Sequence, residues 1–239
     1  MASGIYAALS GAIASEARVD ILSHNLANAH TTGFQGFRTV LETAQGAVKN
    51  EELTFASVPQ AVTDTSPGPI VNTTDPLDLA LFTGVYMGVE SGGEQGYTRG
   101  GTLLPMEDGR VLTTEGHVVL DESGAQLVVP ADVRDLRVQS DGAVLADGTE
   151  VGRLQLVEFQ NESGLIQDQG RFIVDGGNAN PVAAAANRPV MPGYLEMSNI
   201  SAVKSMTDLI SAQHSYSASI KVIESMQMME KKAAEGLIG

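Results

Sequence analysis

Apolar residues recur every three or four positions at both ends of this 239-residue chain and every second position between them. At the N-terminal end, Ile5, Leu9, Ala12, Val19, Leu22 and Leu26 form one seam, with Glu16 its one polar member. The spacing predicts a helix over 3–28, capped by Ser3. At the C-terminal end Met206, Leu209, Tyr216, Ile220 and Ile223 share a second seam, with Gln213 in register. That helix is expected to start near Ser198, with Ser198 or Asn199 as cap and Gly236 as stop. Small residues such as Ala8, Ala12 and Ala14 keep the N-terminal stripe narrow, which suits a coiled-coil-like neighbour better than a broad core.

Between the helices the period changes to two. Val118/Leu120, Leu127/Val129, Leu136/Val138, Leu154/Leu156 and Phe172/Val174 alternate inward, and Gly-containing turns punctuate them. Those turns are Asp108-Gly109, Ser123-Gly124, Asp141-Gly142, Asp147-Gly148, Ser163-Gly164 and Asp175-Gly176-Gly177. Short strands without intervening helices predict an antiparallel meander or barrel. The expected class is α+β, with terminal helices pairing as a coiled-coil-like segment around an inserted, mostly antiparallel β domain. The expected divisions are a helix over 1–30, an extended connector with short strands over 31–75, a β domain over 76–190 and a helical segment over 191–239. After the first helix, Asn28 or Gly33 is expected to turn left-handed and reverse the chain.

Charge sharpens this division. Residues 1–50 hold three acids and three bases, and residues 199–239 hold four of each. The whole formal charge of −15 therefore lies in residues 51–198, which contain no lysine. Neutral ends are fit to pack together, and an acidic centre is fit to face water. Clustered Lys and Arg for phosphates or an anionic membrane are missing, so no nucleic-acid or membrane partner is expected. Cysteine is absent, which excludes disulfides and thiol catalysis. No basic and apolar leader of the cleavable kind opens the chain, and no apolar run of about 18 residues offers a membrane span.

Candidate chemistry is sparse. His24, His30, His117 and His214 are scattered without the i, i+4 spacing of a helical metal site, so no metal or triad is expected. Asp108, Asp121, Asp141, Asp147 and Asp175 sit in turns, where a carboxylate ordinarily serves the backbone. A glycosidase-like acid pair is defined in space, so a cell-wall glycan hydrolase using Asp or Glu of the β region is the alternative reading. No phosphate-binding or nucleophile-elbow fingerprint appears. Met206, Met226, Met228 and Met229 read as helical core or as a soft binding face, and both fit a core shared between subunits.

The stretch Leu22-Ser23-His24-Asn25-Leu26-Ala27-Asn28-Ala29-His30-Thr31-Thr32-Gly33-Phe34 closely resembles a signature of bacterial flagellar axial proteins. Ser198-Asn199-Ile200, continuing through Gln213 and Tyr216 to Lys221-Val222-Ile223, resembles the other signature. Pro76-Leu77-Asp78-Leu79-Ala80-Leu81 and Tyr97-Thr98-Arg99-Gly100-Gly101 resemble landmarks of the family's β domain, as does Asp108-Gly109-Arg110. His24 and His30 stand where the family commonly has Asn, and Gln35 where it commonly has Lys. The chain is thus similar to the flagellar basal-body rod family, and its length favours the proximal-rod (FlgF-like) type over distal-rod or hook paralogues.

The resemblance implies a structural subunit without cofactor or catalysis, assembling with other rod proteins and copies of itself. It implies passage through the flagellar type III export apparatus without a cleaved signal, and a place in the periplasmic rod. The residues expected to carry assembly are the two seams, and the motif positions carried over are Asn25 to Asn28, Thr31 to Phe34, Asn199, Gln213 and Tyr216. Seams this narrow cannot hold a stable isolated hairpin, so the ends are expected to fray until neighbours cover them.

Overall fold

The computed structural model describes residues 2–40, 43–48, 51–56, 60–168, 170–174, 181–183 and 190–235. The Asp175-Gly176-Gly177 turn, the Gly236 stop and most of the 179–191 connection lie outside them. The chain divides into two compact units. The first gathers residues 1–27, 37–62 and 200–239; the second gathers residues 28–36 and 63–199.

The first unit holds two long helices, α1 (Ala2–Ala27) and α2 (Ala202–Glu235), packed side by side. Along α1, Ala8, Ala12, Ser15, Val19, Leu22 and Leu26 repeat at four and three and are buried or half-buried. Along α2, Ala202, Ser205, Leu209, Ala212, Tyr216, Ser219, Ile223 and Met226 do the same at three and four. This is the heptad spacing expected from the sequence. Small residues let the helices approach: a Cβ placed on Gly11 would sit 3.7 Å from Ser219 Oγ. Phe37–Val40 pairs with Gln60–Thr63, and Thr43–Val48 forms an antiparallel hairpin with Glu51–Ala56.

α2 begins four residues later than the pattern predicts, because Asn199 does other work. The chain turns helical only after Ser201, whose carbonyl accepts the Ser205 N–H at 2.9 Å. The Asn199 side chain, expected as a cap, binds backbone within the second unit instead.

In the second unit, eleven of the described strands make one antiparallel sheet. Its central run passes from Glu94–Thr98 through Val85–Ser91, Val118–Val119, Val111–Thr113 and Gly100–Pro105 to Asp78–Leu81. A separate three-stranded sheet joins Leu136–Val138, Ala143–Ala146 and Thr149–Arg153. The Asp147-Gly148 turn of its hairpin has positive φ at both residues, +49° and +82°, as a two-residue hairpin loop requires. Ser163-Gly164 differs from expectation and lies in a single 3₁₀ turn, Glu162–Gly164.

One core unites the two sheets, with Leu79, Leu81, Met87, Leu103, Val111 and Val144 nearly or fully buried. A second cluster stacks Tyr86 edge-on against Phe159 and Phe172 at 5.2 and 5.4 Å. Of the anticipated inward residues, Leu120, Leu127, Val129, Leu136, Val138, Leu154 and Phe172 are buried, whereas Val118, Leu156 and Val174 are half-buried.

Candidate assembly surface

Pairing α1 with α2 uses only part of each helix. Of the residues expected at the assembly surface, Ala12 is buried, and Val19, Leu22, Leu26, Leu209, Tyr216, Ile220 and Ile223 are half-buried. Leu9 and Met206 lie off the paired seam, 45% and 52% exposed, and the Ile5 side chain is outside the described residues. Val203, Met206 and Ile210 form a stripe of their own at spacings of three and four, exposed by 52–76%. Further along, Val222, Met228 and Met229 are 43–60% exposed, and on α1 Ile13 joins Leu9 at 44%. Scattered apolar exposure is ordinary on a protein surface, but a heptad-spaced stripe on one long helix is the pattern of an uncompleted coil. Val203 and Ile210 were missed in the sequence because the seam containing Leu209 and Tyr216 ran longer and obscured a second one on the same helix.

The motif residues serve two anchoring roles. In the first unit, Asn25 is 3% exposed and mimics a strand partner. It donates to the Phe37 carbonyl at 2.7 Å and accepts the Phe37 N–H at 2.8 Å. The His24 ring lies 5.3 Å from that of Phe37. Gln213 is exposed, and Tyr216 is half-buried on the paired seam.

In the second unit, Thr31, Thr32, Gly33 and Phe34 form a loop in which Thr31 Oγ1 donates to Asn28 Oδ1. Gly33 takes the left-handed turn, at φ +67°. Its N–H donates to the Glu196 carbonyl at 2.7 Å. Asn199 Oδ1 accepts the Gly36 N–H at 2.8 Å, and its Nδ2 donates to the carbonyls of Asp64 and Ser66.

Behind this loop lies a buried ion pair. Arg99 Nη2 stands 2.7 Å from Glu196 Oε2, and the two side chains are 2% and 3% exposed. Arg99 Nη1 donates to the Phe82 and Val85 carbonyls, and its guanidinium lies 5.2 Å from the Tyr86 ring centre. Burial, with Glu162 adding, pushes the Tyr86 phenol far above its ordinary value, so it stays neutral beside the cation. The other oxygen, Glu196 Oε1, accepts the Gly68 N–H at 3.0 Å. Arg99 was visible in the sequence only as a family landmark. Glu196 and Gly68 were not singled out, because one acid in a short strand and one Gly between prolines look ordinary.

Gly68 is required by close approach: a Cβ there would fall 1.8 Å from the Met197 carbonyl oxygen. Gly68→Ala should therefore cost about 2–3 kcal/mol through forced backbone shifts, read as a lower urea midpoint with unchanged m-value.

The turn carboxylates behave as backbone ligands. Asp108 accepts the Arg110 N–H, Asp121 those of Ser123 and Ala125, Asp141 that of Ala143, and Asp147 that of Asp135. Hydrogen bonds hold the carboxyl of Asp108 (from Arg110), Asp121 (from Ser123) and Asp141 (from Ala143) below the usual range. A glycosidase's general acid needs the opposite shift. A cleft of about 420 Å³ is lined by Pro76, Leu77, Pro105, Met106, Pro130 and Val133, with Glu107, Arg134 and Asp135 also facing it. Its Asp135 is paired with Arg137 at 2.8 Å. Among the described residues, no group of three His, Asp or Glu is placed to hold a metal ion. Nor is any helix long and apolar enough to cross a membrane.

Two long helices with an open apolar stripe, a mostly antiparallel β unit and acids committed to turns define a structural assembly subunit. Three family descriptions match in chain order: Flagella basal body rod protein over residues 5–35, Flagellar hook protein FlgE/F/G D1 domain over 84–146, and Flagellar basal body rod FlgEFG protein C-terminal over 191–235. The chain is 32% identical to the flagellar basal-body rod protein FlgF of Escherichia coli, over 93% of each chain. It is 31% identical to FlgF of Salmonella typhimurium over 96% of each. To FlgF of Rhizobium meliloti it is 27% identical, over 100% of this chain and 99% of that one. FlgG of Bacillus subtilis is 27% identical over 93% and 94%. The chain belongs to the flagellar basal-body rod protein family and is FlgF-like, a structural rod subunit and not an enzyme. It belongs to the flagellar basal body, where it assembles with other rod components.

Proposed function

We propose that the chain polymerises through its terminal helices to form part of the proximal rod, the drive shaft of flagellum-dependent motility. In this reading, residues 1–30 and 191–239 make the axial core and residues 31–75 connect it to the β domain over 76–190. The observation that carries the reading is the Val203–Met206–Ile210 stripe left open when α1 and α2 pair. Its natural cover is a helix of a neighbouring copy or sister rod protein, joined head to tail so that the contact repeats along an axis. The neutral ends crowd together at little electrostatic cost, and the acidic β units keep the outside soluble. The subunit reaches the periplasm unfolded through the flagellar type III export apparatus, without a cleaved signal.

Before assembly the α1–α2 seam, half of it Ala or Ser, buries less apolar surface than a seam of large side chains would. Limited proteolysis of the purified monomer should therefore remove both ends first and leave a resistant fragment near residues 35–195. Ends that survive as long as the β unit would count against assembly-coupled ordering.

A further inference from the structure

We infer that the buried Arg99–Glu196 pair is a register pin for the strand Tyr194–Glu196, and that it thereby sets where α2 leaves the β-rich unit. The inference rests on the proposed role of α2 in assembly and adds the residues that position it.

Among the described strands Tyr194–Glu196 pairs with Ile70–Asn72 alone, matching Tyr194 to Asn72, Leu195 to Val71 and Glu196 to Ile70. Nothing in the hydrophobic pattern of this ribbon fixes that match. All three residues of Ile70–Asn72 are exposed, with Ile70 and Val71 at 46% and 47%, and Tyr194 is 38% exposed. Backbone bonds tie the ribbon at its ends, from the Gly193 N–H to the Asp78 carbonyl and from the Gly33 N–H to the Glu196 carbonyl. Backbone bonds do not choose which side chain faces inward. In a two-stranded ribbon without a buried apolar face that choice is weakly specified, and a one-residue slip turns every side chain to the opposite face. Glu196 is the only buried residue of the pair of strands.

Its carboxylate is held at both oxygens, by Arg99 Nε and Nη2 on Oε2 and by the Gly68 N–H on Oε1. Arg99 is itself fixed by the Phe82 and Val85 carbonyls. In any other register Glu196 leaves this site and both partners lose their acceptor, a strong penalty for buried charged groups. Buried ion pairs are poor sources of stability compared with apolar residues of similar volume, and their best-attested use is to select one register. Five residues separate Glu196 from Ala202, and Asn199 among them is tied to Gly36, Asp64 and Ser66. A slip would carry Asn199 off these partners and shift the start of α2.

The absence of cysteine makes the register readable by cross-linking in the purified full chain. Val71→Cys with Leu195→Cys joins residues opposed in the native register, whereas Val71→Cys with Tyr194→Cys joins residues opposed only after a one-residue slip. With Arg99 and Glu196 intact, oxidised glutathione should close the first pair and leave the second at background. With Arg99→Met and Glu196→Met together, the melting temperature should fall less than with Glu196→Leu alone, because no unpaired charge is left, while the slipped bridge rises to a yield comparable with the native one. Glu196→Gln, which keeps the volume and an acceptor for Gly68, is the second variant and should show the slipped bridge at lower yield. In cells lacking their own copy of the protein, the Met/Met chain should then give a reduced swimming halo. Native cross-links alone in both variants would overturn the inference. Failure of the parent chain to restore swimming would overturn the rod reading instead, so the two failures are distinct.

Discussion

Glu196→Leu on its own should destabilise the β-rich unit by about 3–5 kcal/mol, since removing one member of a buried pair strands the other. Arg99 would keep the Phe82 and Val85 carbonyls but remain a cation at 2% exposure without a counter-charge. The Gly68 N–H would lose its acceptor at the same time. For a unit of this size such a loss lowers the melting temperature by on the order of 10 °C, which calorimetry on the purified chain resolves easily. Arg137 and Asp135 are the comparison: they are as close, at 2.8 Å, but 66% and 52% exposed. Arg137→Ala should cost no more than about 1 kcal/mol, because water and salt already screen that pair. Equal effects from the two substitutions would show that the Arg99 site is not desolvated. The single and double replacements at Arg99 and Glu196 should differ sharply, since only the single leaves a buried charge exposed to the protein interior without a partner.

Where burial follows from a regular period, the sequence was readable. The alternation at Leu127/Val129 and Leu136/Val138 placed those residues inward because a strand has two faces and one is apolar. Asp147-Gly148 announced a two-residue hairpin because few other pairs tolerate positive φ twice in succession. The helix ends were harder to place. Asn199 has the chemistry of an N-cap, yet its amide is worth more bridging Gly36 to Asp64 and Ser66, so α2 starts at Ala202. Glu196 was illegible for a related reason: its value comes from Arg99, nearly a hundred residues away, and no local pattern records a partner at that distance. The open stripe of α2 was half legible. Met206 was identified, but it was assigned to the same seam as Leu209, and only the structure separates a seam already used from one still vacant.

Because that vacant seam takes no part in the α1–α2 pairing, it can be altered without touching the fold. Val203→Gln, Met206→Gln and Ile210→Gln together should leave the helical content of the purified chain unchanged, since Gln is a good helix former and all three positions face solvent. In cells lacking their own copy, the triple variant should fail to support swimming. Burying a side chain of this kind is worth about 1.5–3 kcal/mol, so three of them contribute roughly 5 kcal/mol to each contact between subunits. That corresponds to more than about a thousandfold in association at every step of a growing polymer. Lys204→Gln with Ser211→Gln changes the polar side of the same helix and should leave swimming intact. The contrast matters because a merely soluble helix would tolerate both sets of changes, and a globally destabilised one would tolerate neither. Normal swimming from the triple variant would mean that rod growth does not draw on this stripe, and the proposed contact would have to move elsewhere on the subunit.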